Sequence, residues 1–176
     1  MKWQTCKSNY GFTLIELIVI LVVIGILAAI ATPIWLAFLN RLALNTAQAE
    51  ALTIIREAQS QAKTKQRYWE ASFRQKDGRV QWSLHPENSL ENTWVWNSLK
   101  NENSHRIAID PSNTTFKQEN GAYSIRFQNK GWVIPPLGRI TFITPNNNSV
   151  KAPKRCVWVS TYLGAIRTQS DQGCQN

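Results

Sequence analysis

Glu16 is the residue of this 176-residue chain whose surroundings ask most of its chemistry. It stands in Phe12-Thr13-Leu14-Ile15-Glu16-Leu17-Ile18, a carboxylate enclosed by apolar side chains. A charge in such a setting costs about 2.5–3.5 kcal/mol at the centre of a membrane helix and less towards its end. Either the head reaches water at an interface, or it meets a positive charge inside the apolar layer. A cut after Gly11 would create that charge, because the new amine on Phe12 stands four residues before Glu16 and shares its helical face. Other acid–base candidates are few. The two histidines, His85 and His105, both neighbour polar loop sequence. No Gly-rich phosphate loop follows a strand pattern, and no paired metal-ligand motif occurs. Asp77 and Asp110 read as turn residues. The sequence argues against an enzyme and calls for neither a metal nor another cofactor.

Basic side chains form the second candidate site. Lys and Arg total 20 against 11 Asp and Glu, a formal charge of +9. Lys2 and Lys7 precede Gly11, so the chain from Phe12 onward holds 18 basic residues against 11 acidic ones, or +7. Lys151, Lys154 and Arg155 cluster, with Arg167 beyond the following turn; Arg74, Lys76 and Arg79 flank an earlier hairpin. Clustered cations gain affinity for nucleic acid through counterion release, and nearby Trp and Tyr could stack on single strands. A solvated basic face, or one turned to anionic lipid, accounts for the same charge. DNA is a candidate partner to the extent that the fold gathers Lys151, Lys154, Arg155 and Arg167 on one surface.

The elements that must position these groups begin with an apolar run. From Leu17 to Leu39 there are 23 consecutive residues without a formal charge. About 20 apolar residues span a bilayer, whereas a cleavable signal carries a core of about 7–15. Ala28, Ala29 and Ala31 supply small residues of the kind a signal cleavage site needs, but the run is too long for that reading. With one such run, a polytopic membrane protein is excluded, and eight Trp, six Phe and four Tyr exclude a disordered chain. Lys2 and Lys7 ahead of the span predict a cytoplasmic N-terminus, with everything after Leu39 outside the cytoplasm.

Lys7-Ser8-Asn9-Tyr10-Gly11 followed by Phe12-Thr13-Leu14-Ile15-Glu16-Leu17 resembles the processing site of type IV prepilins and type II secretion pseudopilins. The resemblance covers roughly Lys7 to Pro33. It implies cleavage between Gly11 and Phe12 by a membrane prepilin peptidase, N-methylation of Phe12, and pairing of Glu16 with the amine of a neighbouring subunit during filament assembly. It further implies an inner-membrane assembly platform, other pilin subunits and the lipid bilayer as partners. The location implied is the bacterial inner membrane, then the periplasm or a cell-surface filament. Pro33 falls where pilins carry a helix-distorting proline. Independently, a proline there removes a backbone donor and crowds the preceding turn, which predicts a kink or local melting near Ile30–Pro33.

Past Pro33 the pattern turns amphipathic. Leu44, Ala47, Ala51, Ile55, Ala58 and Ala62 share one helical face, and no Gly or Pro interrupts from Ile34 to Tyr68. From Arg67 the period becomes two. Trp69, Ala71 and Phe73, then Val80, Trp82 and Leu84, alternate around an Asp77-Gly78 turn. His85–Ser104 reads as a long polar loop holding a short strand at Thr93-Trp94-Val95-Trp96. Short strands are expected at Arg106–Asp110, Tyr123–Gln128, Trp132–Ile134, Arg139–Thr144 and Lys154–Tyr162, with a turn at Gly164. The expected fold is α+β: one long helix packed on an antiparallel sheet of six to eight strands. The divisions are a leader (1–11), a membrane and assembly helix (12–39), its amphipathic continuation (40–66) and a β-rich domain (67–176).

Cys6, Cys156 and Cys174 make an odd count, which cleavage after Gly11 turns into a pair outside the cytoplasm. A Cys156–Cys174 bridge would close a loop near the 15-residue case, for which chain entropy gives about 3 kcal/mol. Two free thiols or two metal ligands are the alternatives, and two Cys without a nearby His make a poor zinc site. In its domain, the chain resembles the small pilins that include the H-type pseudopilin of type II secretion and the T-type minor pilin of DNA uptake. DNA-uptake members carry Gly-Arg-x-Arg in the turn after a late strand. Here Gly164-Ala165-Ile166-Arg167 keeps the Gly and the second Arg, with Ala165 in place of the first.

Overall fold

A computed structural model describes residues 11–99, 104–145 and 152–175. Within these, one helix, α1 (Leu14–Lys65), precedes ten strands. They are β1 (Trp69–Lys76), β2 (Arg79–Pro86), β3 (Asn97–Ser98), β4 (Ala108–Ile109), β5 (Lys117–Glu119), β6 (Ala122–Phe127), β7 (Val133–Ile134), β8 (Gly138–Ile143), β9 (Arg155–Val159) and β10 (Ile166–Ser170). The chain divides into two units, one ending at Phe38 and the other starting at Leu39.

In the first unit every described side chain is exposed. The helix starts on a local signal. Thr13 Oγ1 accepts the backbone N–H of Glu16 at 3.3 Å, and Thr13 O accepts that of Leu17. Thr13-Leu14-Ile15-Glu16 has the spacing of a capping box, in which the hydroxyl satisfies one of the unpaired first-turn donors. The local melting expected near Ile30–Pro33 does not occur, because α1 runs through Pro33 unbroken. Helix formation is cooperative, so turns on both sides hold across one missing bond. The Thr32 hydroxyl adds a donor beside the gap, to Ala28 O at 2.8 Å.

In the second unit, the continuation of α1 buries all six residues expected to form its inner face, joined by Ala43 and Ile54. Their small side chains let two antiparallel sheets approach the helix. The first sheet has the order β3-β2-β1-β6-β5, with β7 also paired to β6; the second has the order β10-β9-β8-β4. Asp77 and Gly78, both at positive φ, close the β1–β2 hairpin and set Phe73 opposite Trp82 and Ala71 opposite Leu84. Ala71, Phe73, Val80, Ile125 and Phe127 of the first sheet and Ile140, Phe142, Val157 and Val159 of the second meet α1 in one core.

Three further features differ from expectation. Two sheets replace one, and the short polar strands β5 and β10 were not foreseen. Thr93-Trp94-Val95-Trp96 is not a strand: Glu91–Thr93 is a 3₁₀ turn and the pairing segment is Asn97–Ser98. The Trp94 and Trp96 rings instead lie over side chains of the first sheet, and this burial takes precedence over their alternation. The turn expected at Gly164 (φ 81°) is present and is held by the helix, since Gln59 Nε2 donates to the carbonyls of Gly164 and Gly131. A Cβ on Gly164 would come within 2.9 Å of Gly131 O, so close approach as well as a left-handed backbone requires glycine there.

Candidate functional site

At the head of α1, the residues that matter are Gly11, Phe12 and Glu16. Phe12 is 75% exposed and precedes the capping Thr13, so the Gly11–Phe12 bond lies outside the helix. Glu16 occupies the first helical turn, where a carboxylate is favoured by the helix dipole. Residues 1–10, and Cys6 with them, lie outside the described residues. From Phe12 to Phe38 the unit presents apolar side chains on all sides, far more than the few hundred Å² of apolar patch that a soluble protein tolerates.

At the other end of the chain, Cys156 on β9 and Cys174 form a disulfide with Cα atoms 5.7 Å apart. Free-thiol and metal-ligand alternatives are thereby removed. The tail is fastened a second time by a residue the sequence did not single out. Arg139 on β8 is only 2% exposed; its Nε donates to Asn113 O at 2.8 Å, an Nη donates to Gln175 O at 3.2 Å, and its guanidinium lies 4.9 Å from the Trp158 ring. Each of these partners is distant in sequence, which left no local signal to find.

The basic cluster does not assemble as one surface. Lys154 Nζ pairs with Asp110 Oδ2 at 3.0 Å, with both side chains nearly buried. Arg155 pairs with Asp171 at 3.2 Å and donates through Nε to Asn45 Oδ1 of α1 at 2.7 Å. Register separates the rest. Arg155 shares a sheet face with Val157 and Val159, towards α1, whereas Arg167, opposite Trp158, lies on the other face. Arg167 is exposed, and among the described members of the cluster it alone has no ion pair. Lys151 lies outside the described residues. Burial pushes the Asp110 carboxyl up, but hydrogen bonds from Asn113 and Lys154, the Lys154 charge and the Ser112 N–H outweigh it and hold the pKa below its ordinary value. Asp110 also accepts the Ser112 N–H, so it is a turn residue and a counter-ion together.

A further polar group, unnoticed in the sequence, lies on the face of the first sheet away from α1. Glu70, Ser72, Ser83, His85 and Ser124 are all buried there. His85 Nδ1 is 3.2 Å from Pro86 O, which can only accept, so Nδ1 carries the proton and Nε2 accepts from the Ser72 hydroxyl at 3.0 Å. Trp94 stacks on the His85 ring at 3.7 Å, and Arg74 lies 3.9 Å over the Trp96 ring. Desolvation lowers the His85 pKa, against the Pro86 hydrogen bond and the Glu70 charge, which raise it.

The head of the chain matches a known pattern. Residues 6–32 fit the family described as the prokaryotic N-terminal methylation motif. The described fold resembles the crystal structure of the type IV minor pilin FimU of Pseudomonas aeruginosa (strain PAO1) in space group P21, with a TM-score of 0.51 at 15% identity, over 78% of this chain and 98% of that one. The fold is pilin-like. A second crystal form of FimU, in space group P65, gives a TM-score of 0.44 at 17% identity, over 74% of this chain and 99% of that one. No curated protein matches the sequence. The motif spans Gly11, Phe12 and Glu16 and ends just before Pro33. By length and composition, α1 is long and apolar enough to cross a membrane.

Proposed function

We propose that this chain is a minor pilin or pseudopilin, a structural subunit of a type IV pilus or of a type II secretion pseudopilus. The observation that carries the reading is the first unit: Gly11-Phe12 and Glu16 at the head of a helix whose apolar side chains from Leu14 to Phe38 have no cover of their own. Lipid covers them before assembly and neighbouring subunits cover them in a filament. Prepilin peptidase cuts between Gly11 and Phe12, Phe12 is methylated, and Glu16 pairs with the amine of the next subunit while the assembly platform draws the chain out of the bilayer. The DNA-uptake alternative has less support, because Lys154 and Arg155 are engaged within the fold and Arg167 stands apart from Arg155.

Mass spectrometry of the protein recovered from assembled material tests the reading. The expected N-terminus is Phe12 carrying one methyl group. Glu16→Ala should insert into membranes at least as well as the parent, since an expensive charge is gone, yet fail to enter filaments. An intact leader in assembled material, or normal incorporation of Glu16→Ala, would overturn it.

A further inference from the structure

On the face of the first sheet away from α1 lies a pocket of about 390 Å³, at the small end of the range for ligand sites. Its lining includes Glu70, Glu87, Glu91 and Glu119, with Arg126, Ser124 and the Trp94 ring. Four carboxylates against one guanidinium make it acidic on a chain whose formal charge is +9. Three of the four are answered from within the fold. Glu87 accepts from Arg126 at 2.9 Å, Glu91 accepts from the Asn120 amide at 3.1 Å, and Glu119 pairs with Lys117.

Glu70 is the exception. Only 6% exposed, it stands across the strand pair from Arg126, whose guanidinium goes instead to Glu87. Its electrostatic neighbour is His85, which is neutral at pH 7. Among the described residues Glu70 has no ion pair. Ser124, opposite Ser72 on the adjoining strand and likewise 6% exposed, has a hydroxyl with no hydrogen-bond partner. A nearly buried carboxylate without a cation and a buried hydroxyl without a partner line one small cavity. A buried carboxylate without a cation and a buried hydroxyl without a partner both cost stability. One incoming group resolves both: a cation with several N–H donors.

We propose that this pocket binds a single ammonium or guanidinium head carried on a slim alkyl chain. The head donates to Glu70 and to Ser124 Oγ, and the alkyl stem lies along Trp94. Such a head is found on a Lys or Arg side chain of another protein chain and on a free polyamine. The proposal stands on the chemistry of the pocket and does not depend on how α1 is anchored.

The test uses the full chain in detergent micelles, titrated with N-acetyl-arginine amide, N-acetyl-lysine amide and the neutral isostere N-acetyl-citrulline amide. The Trp94 indole and Ser124 amide resonances are followed by NMR. Saturable shifts with both cationic amides and none with citrulline are expected. Glu70→Gln should weaken binding about tenfold or more, because a charge-assisted bond from a desolvated site is lost. Ser124→Ala separates binding from folding: it should melt no lower than the parent, since a partnerless buried hydroxyl is removed, and still bind more weakly. Citrulline binding as well as arginine, no saturable shift with any probe, or unchanged binding by both variants would overturn the proposal. Two further arms identify the source. A zero-length carbodiimide cross-link from Glu70 to a lysine of a second chain in assembled material points to a subunit; spermidine binding more tightly than the amides, with no such cross-link, points to a free polyamine.

Discussion

Two buried titrating side chains, His85 and Asp110, set how the folded domain responds to acid. His85 is chiefly desolvated and its pKa lies below 6.5. The unfolded chain therefore takes up a proton near pH 6.5 that the folded chain refuses. The stability associated with neutral His85 is complete above that pH and is lost as pH falls towards the folded value. Asp110 also has a depressed pKa, but as an acid held ionised by Asn113, Lys154 and Ser112 against the cost of burial. Its contribution is complete above the unfolded value near 3.8 and is lost as pH falls through the folded one. Melting temperature should thus begin to decline as pH falls below the unfolded His85 value, and decline further below the unfolded Asp110 value. His85→Gln, which keeps a hydrogen-bonding side chain without charge, should abolish the upper decline and leave the lower. Asp110→Asn should remove the lower decline and also cost on the order of 3 kcal/mol at neutral pH, because Lys154 is left nearly buried without its counter-charge.

The elements differ in how much of them was written locally. The inner face of α1 and the β1–β2 hairpin were legible because period and turn chemistry are carried by adjacent residues, Leu44 to Ala62 in one case and Asp77-Gly78 in the other. The 3₁₀ turn and strand around Trp94 were not, since alternation in Thr93-Trp94-Val95-Trp96 is the same whether the rings face a core or fold back over Arg74 and His85. Gly11, Phe12 and Glu16 stood out because a carboxylate and a Gly-Phe step head an apolar run. By contrast, the quenching of the basic cluster was hidden: Asp110 lies 44 residues before Lys154, and Asn45 lies 110 residues before Arg155. At the end of the chain, the disulfide and Arg139 together hold the tail on β8 and β9. Cys174→Ser should cost about 3 kcal/mol and lower the melting temperature. Limited proteolysis should then cut the tail first and leave α1 and the first sheet intact; equal melting of variant and parent would mean that Arg139 alone suffices to dock it.

For the molecule as a whole, the core is confined to one unit. Among the described residues, every member of the buried cluster lies at or beyond Ala43. A chain begun at Leu39 should therefore fold without detergent, form the Cys156–Cys174 bridge and melt within a few degrees of the full chain in micelles. Circular dichroism and peptide mapping under non-reducing conditions check this. Loss of cooperative melting in the truncated chain would show that the first unit supports the second after all.

The Thr13 cap carries a consequence for the order of events. Thr13 lies C-terminal to the Gly11–Phe12 bond, so a cut at that bond would leave the instruction that starts the helix in place. The first turn, and with it the placement of Glu16 one turn beyond Phe12, is encoded before any cut and does not wait for it. Cleavage at that bond would then add a charge to a geometry already in place. The trigger for assembly would be chemical rather than conformational, and a precursor would differ from its product in what its end can attract, not in what shape it holds.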